Sequence, residues 1–290
     1  MSDVLNELVE LLSLEKIEAN LFRGQSQDLG WGTVYGGQVL GQALSAAVQT
    51  VPEDRSVHSL HAYFLRPGDV SLPIVYDVDR IRDGRSFTTR RVVAIQKGKP
   101  IFNLSASFQI TESGFSHQSA APEATDPEEL LTEQERVQKF YDRVPKFLKE
   151  RALVERPFEI RAVDPTDDPI APSATEPVSQ HWLKTTGPLR DSPALHQFLL
   201  AYASDFSFLT TSMRPHGVSW LTPGIQVASV DHAMWFHRPF RVDQWLLHSV
   251  ESTSASGARG YVRGQIFDQK GNLVASTSQE GLIRRRTQRP

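Results

Sequence analysis

The chain reads as one unit written twice. Phe64-Leu65-Arg66-Pro67 returns as Phe236-His237-Arg238-Pro239, with Arg238 172 residues after Arg66, and Gly257 and Gly271 follow Gly84 and Gly98 by 173. Turn landmarks at a nearly constant offset, each set preceded by one apolar helix, point to a duplicated module of helix plus curved antiparallel sheet. At 290 residues the chain is long enough for two cores or one large one.

In the first module, Val4, Leu5, Leu8, Leu11 and Leu12 have helix spacing and predict a helix over residues 3–14. An extended stretch over 17–23 leads to Gly36-Gly37-Gln38, which opens a second helical segment reaching Thr50. Its apolar face (Val39, Leu40, Ala43, Leu44, Ala47) is built from small residues that let a sheet approach closely. Four strand-like runs follow at 57–65, 72–81, 87–96 and 101–110, separated by Arg66-Pro67-Gly68-Asp69, Asp83-Gly84 and Lys97-Gly98-Lys99-Pro100, all turn chemistry. From 112 to 129 the chain is Ser, Ala, Pro and acid without an apolar period, a linker running into a helix that starts near Pro127. The expected division is a first module over 1–113, a linker with helix over 114–150 and a second module over 151–290. In the second module 181–183 is extended, Asp191 is placed to cap an apolar helix over 194–209 with Pro193 in its first turn, and strands then return.

Composition removes several chemistries. The chain has no cysteine, which excludes disulfides, thiolate metal sites and a catalytic thiol. A net charge of -3 gives no general field for nucleic acid, and the local exception, Arg284-Arg285-Arg286, reads as a solvated tail. No apolar stretch is long enough to span a bilayer, and the N-terminus lacks a signal-peptide layout. The C-terminal Thr287-Gln288-Arg289-Pro290 is not a peroxisomal tripeptide, so a cytoplasmic location is expected. There is no G-x-S-x-G elbow, no H-E-x-x-H, no Walker loop and no dinucleotide-binding glycine motif. His58-x-x-His61 is read as two strand histidines facing different sides, and no metal site is expected.

The informative residues are those whose chemistry conflicts with their neighbours. Asp205 falls on the helix face of Phe198, Ala201, Tyr202, Phe208 and Leu209. An unpaired charge buried there costs several kcal/mol, so it is hydrogen-bonded, wetted by a site or retained for its chemistry; the alternative is a helix that ends early and exposes it. By strand parity Ser229 shares the inward face of Ile225 and Val227, and Gln279 shares that of Leu273, Ala275 and Thr277. Carboxylate, hydroxyl and carboxamide thus sit on three elements of one module.

Several blocks together resemble the acyl-CoA thioesterase II family: Leu21-Phe22-Arg23-Gly24-Gln25-Ser26, Tyr35-Gly36-Gly37-Gln38-Val39, His61-Ala62-Tyr63-Phe64-Leu65-Arg66-Pro67-Gly68-Asp69, Asp231-His232-Ala233-Met234-Trp235-Phe236-His237 and Ser252-Thr253-Ser254-Ala255-Ser256. The resemblance runs from about Leu14 to Leu282. It implies an α+β double hotdog fold, two antiparallel sheets each wrapped around a central helix, and hydrolysis of fatty acyl-CoA to free acid and coenzyme A. Coenzyme A is then part of the substrate, and no separate cofactor is expected. The family's catalytic set maps onto Asp205, Ser229, where the family commonly has Thr, and Gln279. At the landmark offset Gln279 corresponds to Ala106, and aligning Gln38 with Gln197 sets Ala46 opposite Asp205, so the second module is expected to be catalytic and the first supporting.

The expected mechanism is direct attack by a water held by Asp205, Ser229 and Gln279, with Asp205 as general base. Backbone N–H groups at Gly36 and Gly37 are candidates for the oxyanion, and His58 and His232 are further acid–base candidates. A crevice lined by Phe208, Leu209 and Trp235 is expected to take the acyl chain. The alternatives are a covalent route through Ser229 or Asp205, a non-catalytic acyl-CoA sensor, and a hotdog enoyl-CoA hydratase, whose helix-borne Asp is usually followed by a His where this chain has Phe206-Ser207-Phe208. The resemblance also suggests a homotetramer.

Overall fold

A computed structural model describes residues 2–139 and 154–286. The first half supplies α1 (Asp3–Leu12), β1 (Glu15–Glu18), β2 (Leu21–Gly24), α2 (Gly36–Val48), β3 (Arg55–Phe64), β4 (Ile74–Asp83), β5 (Phe87–Gln96) and β6 (Lys99–Ile110). After a 3-10 turn (Pro127–Glu129) come α3 (Glu133–Lys139), β7 (Phe158–Ala162), β8 (Val178–Thr185), α4 (Pro193–Ser204), a 3-10 segment (Phe208–His216), β9 (Ile225–Ser229), β10 (Asp231–Phe236), β11 (Leu246–Ser256), β12 (Arg259–Asp268) and β13 (Leu273–Arg285).

The duplication is visible in the sheet order, β2-β4-β5-β6-β3 followed by β10-β13-β12-β11-β8. The halves mirror one another about an antiparallel seam, β3 against β10, where Leu60 faces Met234 and His61 faces Ala233. This is the double hotdog, with its two sheets fused edge to edge into one. Gly98 and its counterpart Gly271 both take positive φ, whereas of the other pair Gly257 does and Gly84 does not; Lys97-Gly98 and Gly257-Ala258 each form a two-residue hairpin turn with positive φ at both positions.

Helices α2 and α4 pack back to back, and residues from both halves, Leu40 and Leu60 with Leu199 and Met234 among them, share one apolar core. The close approach depends on glycine: a β-carbon at Gly41 would lie 3.2 Å from the Phe198 carbonyl oxygen. The 3-10 segment lies across β11, β12 and β13.

Two local expectations need correction. The cap of α4 is Ser192, whose hydroxyl accepts from Leu195 N, while Asp191 pairs with Arg241 at 3.2 Å. The helix expected near Pro127 is a single 3-10 turn; α3 begins at Glu133, where Thr132 and Glu135 form a reciprocal capping pair. The linker is tied to the second half, through Gln118 to Gly271 O (2.8 Å) and Trp182 Nε1 to Thr125 O (2.9 Å). The remainder of the expected linker helix, residues 140–150, lies outside the described residues.

Candidate active site

Helix α4 stops one residue before Asp205, which takes φ -86° and ψ -5° as its C-cap, and Ser207, at φ 53°, turns the chain into the 3-10 segment. The helix therefore ends earlier than the apolar pattern suggests, yet Asp205 stays half-buried. Its carboxylate meets the N-terminus of α2, where the Gly37 backbone N–H favours its charged form. That end of a helix favours a negative charge, which offsets the unfavourable position at the C-terminus of α4. A β-carbon on Gly36 would lie 2.6 Å from Asp205 Oδ2 and 2.9 Å from the Phe64 ring, so glycine is required for the contact.

Two strands bring the remaining groups. Ser229 ends β9 and pairs with Gly281, and Gln279 lies two residues earlier on β13. Gln279 Nε2 donates to Ser229 Oγ at 2.7 Å and to Asp205 Oδ1 at 3.2 Å; Ser229 Oγ donates to the same carboxylate oxygen at 3.3 Å. The three residues singled out in the sequence thus form one closed hydrogen-bonded triangle. Burial pushes the Asp205 carboxyl up to about 6, against the downward pull of the Gln279, Ser229 and Gly37 donors. A carboxylate with this value is ionised at neutral pH and poised to accept a proton.

The triangle continues into the protein. The other end of the Gln279 carboxamide meets His232 Nδ1 at 2.8 Å, and His232 Nε2 meets Ser204 Oγ at 3.0 Å. His232 is fully buried and burial pushes its imidazole down to about 4, so it stays neutral. Tyr35, Tyr202 and Phe206 form the apolar wall beside Asp205; the Tyr35 ring stacks on Phe206 at 5.0 Å and its hydroxyl donates to Tyr202 O. Tyr35 and Ser204 were absent from the sequence reading of the site. Tyr35 adjoins the Gly36-Gly37 pair, and its place in that block was the available signal.

Other expected site residues lie elsewhere. Gly36 and Gly37 reach the site, with Gly36 against the Asp205 carboxylate. His58 sits in a bulge of β3, bonded to Ser107 Oγ at 2.8 Å with its ring against Phe87. Six residues of strand, roughly 20 Å, separate it from Phe64 and the Asp205 contact. Trp235 points away from the face that carries His232, Met234 and Phe236, and packs edge-on against His61. Since adjacent strand residues face opposite ways, it cannot line a crevice on the helix side. Phe208 is enclosed with Val250 and Val262, and Leu209 lies against Gly281, where a β-carbon would meet it at 2.2 Å. A groove of about 350 Å³ lies farther along β13, lined by Met213, Val218, Ile225 and Ile283 with Arg259 and Arg285 at its edge, and none of the three expected residues borders it.

Comparison with known proteins places the chain in a family. A family model described as acyl-CoA thioesterase matches residues 149–282, and one described as acyl-CoA thioesterase N-terminal domain matches residues 26–109. Acyl-CoA thioesterase 2 of Haemophilus influenzae is 48% identical over 284 residues, covering 98% of this chain and 99% of the relative. The chain belongs to the acyl-CoA thioesterase family. Human acyl-coenzyme A thioesterase 8 is 41% identical, with 94% of this chain and 88% of the relative covered. The crystal structure of an acyl-CoA thioesterase II from Mycobacterium marinum superimposes with a TM-score of 0.79 at 41% identity, covering 97% of this chain and 99% of that one. This thioesterase-family chain carries its polar triangle within the span of the first family match, while the N-terminal match contributes the Gly36-Gly37 contact.

Proposed function

We propose that this chain hydrolyses fatty acyl-CoA to free fatty acid and coenzyme A, by attack of a water on the thioester carbonyl with Asp205 as general base. Ser229 and Gln279 hold the same water and fix the carboxylate. The observation that carries this reading is the double engagement of Gln279 Nε2, bonded to both Asp205 Oδ1 and Ser229 Oγ. A site of this kind suffices because the leaving thiol has a pKa of about 8.5 and departs as thiolate without an obligatory proton donor. General-base assistance contributes about a hundredfold to ten-thousandfold, with placement of the water supplying much of the rest.

In this reading the second half carries the chemistry and the first supports it, divided at residues 1–113, 114–150 and 151–290. Ala106, which pairs with Leu60 in the first half, offers no carboxamide at the position corresponding to Gln279. Water attack is preferred to a covalent route because the Ser229 hydroxyl donates to Asp205 and receives from Gln279, with no histidine among its partners to take its proton. The expected assembly is a homotetramer, located in the cytoplasm, with no nucleic-acid partner and no cofactor beyond the substrate's own coenzyme.

The test is thiol release across an acyl-CoA chain-length series, followed by rapid quench. Turnover without protein-bound acyl label supports the proposal. Binding without thiol release would make the chain a sensor, and label on Ser229 or Asp205 would overturn water attack. Sedimentation velocity reads the assembly.

A further inference from the structure

Gln279 is useful to the proposed site only in one of its two orientations. The nitrogen and oxygen of a carboxamide have nearly the same shape, so neighbours must choose between them. Asp205 accepts only, which requires the nitrogen on its side; the oxygen then faces His232 Nδ1 at 2.8 Å. A neutral imidazole carries one ring proton, and this contact requires it on Nδ1. Nε2 is then an acceptor, and its partner at 3.0 Å, the Ser204 hydroxyl, supplies the donor by turning from Ala201 O, 2.9 Å away.

We infer that His232 and Ser204 are positioning residues of the hydrolytic site, whose proton order, Ser204 to His232 to Gln279, locks the Gln279 carboxamide with its nitrogen toward Asp205 and Ser229. The inference rests on the proposed role of Gln279 and adds two residues that touch neither the water nor the substrate.

The duplication provides an internal control. In the first half Leu60 pairs with Ala106, 172 and 173 residues before His232 and Gln279. The register Ala233 to Ser278 sets His232 opposite Gln279 in the same way. The same strand pair is therefore built once with apolar residues and once with a buried imidazole and carboxamide. The fold does not need the polar version, and burying such groups is costly unless they are fully bonded. His232 meets that condition: His181, His196 and His248 each leave one ring nitrogen without a partner, whereas both nitrogens of His232 are engaged.

The experiment measures thiol release from one acyl-CoA for His232→Leu, His232→Asn, Ser204→Ala, Gln279→Ala and the double variant His232→Leu/Gln279→Ala. Circular dichroism and thermal melts confirm folding. His232→Leu copies the residue at the corresponding first-half position. It is expected to lower kcat by about tenfold to a hundredfold with KM little changed, the cost of a misplaced group. His232→Asn restores a donor near Nδ1 and should recover most of that loss. The double variant should be no slower than Gln279→Ala alone. A folded His232→Leu variant with kcat within twofold of wild type overturns the inference, as does an Asn variant as slow as the Leu one. Should His232→Leu fail to fold, Ser204→Ala decides: kcat lowered several-fold at constant KM supports the inference, and unchanged kcat overturns it. If Gln279→Ala itself turns over normally, the proposed site fails, an outcome separate from failure of the positioning role.

Discussion

A β-carbon on Gly37 would lie 2.1 Å from the carbonyl oxygen of Tyr202. The two central helices touch at a point that only glycine permits, and the same residue's backbone N–H favours the charged form of Asp205. The contact therefore couples the packing of the first half to the charge of the second.

Gly37→Ala must push α2 and α4 apart. Overpacking of this kind costs about 1–3 kcal/mol, and here it also shifts the helix start that faces Asp205. Urea denaturation is expected to show that loss, together with a fall in kcat at saturating substrate. A variant as stable and as active as wild type would contradict the contact.

The acid limb of the rate profile follows from Asp205. Its carboxyl titrates at about 6, and only the charged form accepts a proton. Below that value kcat/KM should fall by roughly tenfold per pH unit, and above pH 7 it should level off. An acid limb centred near 4, the ordinary carboxylate range, would contradict the burial of this group.

The same shift has a stability consequence of opposite sense. The folded state raises Asp205 from 3.8 to about 6, so the stability this group contributes is fully present below 3.8 and is lost as pH rises through 6. Asp205→Asn has no such equilibrium. Wild type should lose about 2 kcal/mol relative to the variant between pH 4.5 and 7.5, measured by urea titration. Parallel stability curves would show that the carboxylate is not desolvated.

Buried histidines act in the other direction. Burial pushes His181 and His232 down to about 4, and His248 well below its ordinary value. Their contribution is present above 6.5, the unfolded value, and is lost as pH falls, through about 4 for His181 and His232. Between pH 6 and 5 the unfolding free energy should drop by more than one proton's share, about 1.4 kcal/mol per pH unit, even against the opposing slope of Asp205. A flat profile in that interval would contradict neutral burial of these rings.

Much of this molecule was legible in its sequence because duplication and period are one-dimensional signals. The repeated glycine landmarks marked the hairpins, the repeated Arg-Pro pairs marked the crossovers that follow β3 and β10, and the alternation of β13 placed Gln279 on the inner face. What remained hidden depends on three-dimensional approach. The end of α4 at Ser204 is set by the turn through Asp205 and Ser207, while the apolar residues run on into the 3-10 segment. Trp235 lies in a block that carries the family resemblance, and only the strand's orientation, fixed by β3 and β13 on either side, shows that it faces away from the helices. Likewise Gly36 and Gly37 look like an anion-binding helix start, and they are one, but the anion they meet is a side chain of the other half.

The central claim is that Asp205 activates water. The direct measurement is kcat for thiol release by Asp205→Asn, with folding verified by circular dichroism and gel filtration. The account predicts a fall of at least about a hundredfold with KM largely retained; a folded variant that turns over at close to the wild-type rate would contradict it.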